Sequence, residues 1–87
     1  MRAEQLLEQA ALIVDRRRRT YGQPTELFEH VARRWSLVLG VNLTPAQAIL
    51  CLIDLKAARL THDPGHLDSI IDIAGYAGCL AELLCDG

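Results

Sequence analysis

Asp68 and Asp72 stand four residues apart in a stretch that reads as helix, so their carboxylates fall one turn apart on one face. Such a pair can share a divalent cation. Mg²⁺ in particular takes one or two carboxylates and completes its shell with water and substrate phosphates. A bare D-x-x-x-D is equally the pattern of one acid that stabilises the positive start of a helix, Asp68, and a second that is merely solvated, Asp72. The company these residues keep favours chemistry: Gly75, Tyr76 and Cys79 continue the stripe, where a solvent-facing stripe would more often carry Lys, Glu or Arg. Asp54 is a further candidate ligand for the same ion, or an ordinary helix-edge carboxylate.

The cations are the complement. Lys56 and Arg59 lie three residues apart, so both can meet one phosphate, Arg bidentately and Lys as a point charge. As ordinary residues they would be cations near a helix C-terminus, favoured by the macrodipole. Arg17 differs from the rest of the Arg16–Arg19 run because it falls in line with Leu6, Ala10 and Ile13. It should therefore point inward or along a cleft, where a guanidinium needs an acidic partner or an anionic ligand. Tyr21, beside Gly22 and Pro24, can lay a ring over a nucleobase or pack at a turn, and Tyr76 is a second base-contacting candidate. Phe28 and Trp35 read as core. His62, Asp63, His66 and Asp68 resemble a metal cluster on paper, but the Pro64-Gly65 turn between them leaves their geometry open. There is no glycine-rich phosphate loop and no Ser-His-Asp logic. No activating neighbour is visible for Cys51, Cys79 or Cys85.

Four helices must position these groups. The first, about Arg2–Arg18, carries Leu6, Ala10, Ile13, Val14 and Arg17 at three- and four-residue spacing. Tyr21-Gly22-Gln23-Pro24 reads as a turn, with Pro24 opening a second helix that runs to Leu39 and stops at Gly40. Thr44-Pro45-Ala46-Gln47 is a capping box that opens a third helix reaching Thr61. Its core stripe is Ala46, Ile49, Leu50, Ile53, Ala57 and Leu60. Cys51, Leu52 and Leu55 point elsewhere, so the helix is apolar nearly all round and should be buried on more than one side. A fourth helix spans His66–Cys85.

Size and charge narrow the classes. With 87 residues the chain is one domain, residues 1–87, and all-α: a four-helix unit with antiparallel helices. Hydrophobic residues make up 51% of a chain with no disulfide frame, which predicts burial between copies in a dimer or tetramer. A net charge of −2 argues against DNA or RNA as partner. Neither a membrane span nor a secretory signal is evident, and three cysteines without a C-x-x-C pair suit a reducing cytoplasm.

The order Arg17-x-x-x-Tyr21-Gly22-x-Pro24, then Leu55-Lys56-x-x-Arg59, then Asp68-Ser69-x-x-Asp72-x-Ala74-Gly75-Tyr76-Ala77 resembles a family of small all-helical domains of unknown function found in phages and prophages. More distantly it is similar to the MazG-like all-α nucleoside triphosphate pyrophosphohydrolases. That resemblance implies Mg²⁺ held by acidic residues of two helices and hydrolysis of a nucleoside triphosphate to monophosphate and pyrophosphate. Asp68 and Asp72 match the second acidic motif at i,i+4 in place of i,i+3. The first motif has no clean counterpart: Glu26-x-x-Glu29 has the spacing but lies at the start of the second helix. Three readings stay open at this point. One is a Mg²⁺-dependent hydrolase, with Asp68, Asp72 and Asp54 on the metal, Lys56, Arg59 and Arg17 on the phosphates, and Tyr21 or Tyr76 on the base. Another is a module that binds a nucleotide without turnover. The last is a structural oligomer in which Arg17 pairs internally with Asp68 or Asp72.

Overall fold

A computed structural model describes residues 1–85. It contains α1 (Ala3–Tyr21), α2 (Pro24–Leu39), α3 (Pro45–His62) and α4 (Leu67–Cys85), with no strand among the described residues. The helix ends follow local chemistry. Gly22, at φ +87°, donates its backbone N–H to the Arg18 carbonyl at 2.9 Å and closes α1. Tyr21 is thus the last residue of α1 and not part of the turn, which shrinks to Gly22 and Gln23. Gly40 adopts the left-handed conformation (φ +70°) that ends α2 without a Cβ penalty. The capping box of α3 is formed: Gln47 N–H donates to Thr44 Oγ1 at 3.1 Å, and Thr44 N–H donates to Gln47 Oε1 at 2.9 Å. At the start of α4, the His66 carbonyl accepts from the Ser69 and Ile70 N–H groups. His66 Nδ1 also lies 2.7 Å from the Oγ of Ser69, a fully buried hydroxyl.

α3 and α4 share the largest helix–helix contact and form the spine of the domain. Ala48 and Ile49 of α3 are completely buried, and Ile71 of α4 is buried with them. α1 packs on α4 and α2 packs on α3; of the helix pairs in contact, α1 and α2 touch least, although only two residues join them. The two helices therefore splay, and a groove opens between them.

The α3 stripe differs from the sequence expectation. Leu50 and Ala57 are exposed, while Leu52, Ile53, Lys56 and Leu60 are half-buried. The inward face is centred on Ala48, Ile49, Leu52 and Lys56, the last of which pairs with Asp72 of α4. Cys51 and Leu55 do lie off that face, both exposed. Leu37, Val38, Leu39 and Val41 leave a run of apolar side chains exposed at the end of α2.

Candidate functional site

The groove between α1, α2 and α4 has a volume of about 420 Å³. That is within the range of small-ligand sites. Its floor is apolar, built from Ala10, Ile13 and Val14 of α1, Leu27, Phe28 and Val31 of α2, Leu52 of α3 and Ile71 of α4. Trp35, Tyr21 and Tyr76 add aromatic surface. The Tyr76 ring stands edge-on to Phe28, with centroids 6.3 Å apart and planes at 77°. This is a favoured aromatic geometry, and it fixes the wall that Tyr76 presents.

The polar groups of the groove gather on one side. Asp72 is held from behind by Lys56, whose Nζ lies 3.0 Å from Oδ2, with side chains only 14% and 16% exposed. Arg17 approaches the other oxygen more loosely, with Nη2 3.7 Å from Oδ1, and is half exposed. Of the two courses read for Arg17 from the α1 stripe, inward or along a cleft, the structure shows the second: it runs along the groove beside Asp72 and stays half exposed. The next residue, Arg18, clasps Glu82 of α4 bidentately, at 3.0 and 2.6 Å, and also donates to Gln23 in the turn. That hydrogen-bonded pair pushes the Glu82 carboxyl below its ordinary range and the Arg18 guanidinium above its own. Cys79, also in the groove, is pushed up mainly by burial and further by the Glu82 charge, so it is a thiol and not a poised nucleophile.

The site candidates therefore separate. Arg17, Tyr21, Tyr76 and Asp72 come together in the groove, with Lys56 behind Asp72. Asp54, Arg59 and Asp68 are exposed and do not line it. Among the described residues no group of three or more His, Cys, Asp or Glu is placed to hold a metal ion, and this includes His62, Asp63, His66 and Asp68. The donor set does not fit a resident Mg²⁺: among the described residues Asp72 is the one carboxylate that lines the groove, and Lys56 and Arg17 beside it already offset its charge. Sequence reasoning missed Arg18 and Glu82; its core reading holds for Phe28, which is buried, while Trp35 is half-buried and both also line the groove. A signal was present for Glu82, which extends the line Asp72, Gly75 and Cys79 at helical spacing.

Comparison with known proteins places the chain. A family model described as a domain of unknown function, DUF6378, matches residues 5–84. The Gene 55 protein of Mycobacterium phage L5 is 37% identical over 73 residues, which cover 83% of this chain and 47% of the phage protein. The Gene 55 protein of Mycobacterium phage D29 is 35% identical over 82 residues, 93% of this chain and 54% of that protein. The chain thus spans about half the length of these phage relatives. No solved structure matches it. With nearly its whole length matched, the chain belongs to the DUF6378 family.

Proposed function

We propose that this phage-type domain binds a nucleotide in the groove between α1, α2 and α4, without a resident Mg²⁺ and without turning it over. The observation that carries this reading is the meeting of aromatic rings and an apolar floor with the half-exposed Arg17 in one groove. A base would lie against the rings of Trp35 and Tyr76, and the phosphates would be met by Arg17, with Tyr21 covering the open side. The distant resemblance to MazG-like proteins supports the ligand class. A single groove carboxylate with two cations beside it, and the exposed positions of Asp68 and Asp54, favour binding over pyrophosphohydrolase chemistry. The binding unit is an oligomer on this reading, since the apolar run at Leu37–Val41 is too exposed to suit a free surface.

The test is a thermal-shift panel of nucleoside mono- and triphosphates, with and without Mg²⁺, with pyrophosphate release followed in parallel. A ligand that binds only the folded state raises the midpoint. The expected result is a shift that is independent of Mg²⁺, reduced in Arg17→Gln, and without pyrophosphate. Pyrophosphate release would restore the hydrolase reading, and the absence of any shift would remove the nucleotide.

A further inference from the structure

We infer that the groove selects guanine, with Asp72 as the acceptor that reads the base; this rests on the nucleotide reading above. Asp72 is a carboxylate set in an apolar, aromatic groove. At neutral pH a carboxylate offers acceptors only, so it selects a ligand edge made of donors. Lys56, which does not line the groove, holds Oδ2 from behind at 3.0 Å and fixes the carboxylate in place. Oδ1 remains open to a ligand: Arg17 stands 3.7 Å away, beyond hydrogen-bond distance, and its half-exposed side chain is free to follow a phosphate. The Tyr76 ring, pinned edge-on to Phe28, walls the slot in which a planar base would lie.

The edges of the common bases then divide cleanly. Guanine presents two adjacent donors, the ring N–H and the exocyclic amino group, and these match Oδ1 and the second lone pair of Oδ2, the first being taken by Lys56. Adenine and cytosine each place a ring-nitrogen lone pair beside a single amino group, so one carboxylate oxygen would face a like-charged acceptor. Uracil and thymine flank their one N–H with carbonyl oxygens. An unmatched or repelled polar group in a groove of this kind costs affinity directly.

Calorimetric titration of the full chain with GMP, IMP, AMP, CMP and UMP tests the assignment. GMP should bind tightest. IMP, which lacks the exocyclic amino donor, should be weaker by about tenfold, and the remaining three weaker by about a hundredfold. Asp72→Asn, checked for helical content by circular dichroism, replaces one acceptor with a donor and should erase the preference for GMP. Equal affinity for IMP, AMP, CMP or UMP in the native protein would overturn the guanine assignment and leave the nucleotide reading standing. No binding by any of the five would overturn both. Because the native panel decides the question, a variant that fails to fold does not shelter the proposal.

Discussion

Lys56 Nζ and Asp72 Oδ2 lie 3.0 Å apart across the α3–α4 interface, and both side chains are largely shielded from water. The pair joins the two helices that form the spine of the domain and sets the one carboxylate that faces the groove among the described residues. Removing one partner leaves the other partly buried and poorly matched. Lys56→Met should cost about 2 kcal/mol of stability, measured by urea denaturation. Lys56→Met combined with Asp72→Leu should recover most of that loss. A double variant no more stable than the single one would show that the pair is not the cause.

The Arg18–Glu82 clasp has a defined pH signature. Glu82 titrates below its ordinary range because Arg18 hydrogen-bonds its charged form. Its contribution is therefore complete above the unfolded carboxyl value and is lost as pH falls through the lower folded value. Glu82→Gln should lower the melting temperature at pH 7, and the gap to the native protein should close as the pH is taken toward 3. A gap that persists at pH 3 would assign the effect to packing instead of charge.

Ile49 is the one large apolar side chain of α3 that is fully buried. Ile49→Ala should cost about 2–5 kcal/mol. For a domain of this size that is a large share of the total stability, so a substantial unfolded fraction should be visible by circular dichroism at 25 °C. A midpoint close to that of the native protein would mean that the core does not close around Ile49.

Two glycines should respond with opposite sign. A Cβ at Gly78, in the interior of α4, meets nothing within 4 Å. Gly78→Ala should stabilise by about 0.5–1 kcal/mol through helix propensity. Gly22 also has open space but sits at φ +87°, so Gly22→Ala should destabilise by about 1 kcal/mol. Chemical denaturation of the two variants side by side checks the signs.

Light scattering should return a mass two or four times the 9.6 kDa of one chain. Substituting Glu at Leu37 and Val38, the most exposed of the large apolar side chains, should shift the mass toward a single chain. A native mass of one chain would remove the oligomer.

What could be read from the sequence was what is decided locally. The capping box at Thr44 and Gln47 and the stop at Gly40 depend on neighbours within a few residues, and they form as their types require. The place of Arg17 along the groove was legible because it shares a stripe with Leu6, Ala10 and Ile13. Lys56 was not legible as a buried residue, because its burial depends on Asp72, sixteen positions along the chain and on another helix. That dependence also explains the displaced α3 stripe, since a lysine counts as surface until its partner is known. Arg18 was masked by its identical neighbours: nothing in a run of four arginines says which of them will face Glu82 until α1 is laid on α4. Asp68 and Asp72 share a stripe, yet Asp68 stays on the exposed first turn while Asp72 faces the groove.

The small contact between α1 and α2 has a mechanical corollary. α1 leans on α4, α2 leans on α3, and the third side of that frame is left open. A molecule lodged between α1 and α2 would act as a cross-brace between two struts that touch each other little. A load on one strut would then pass to the other directly, as well as through α4.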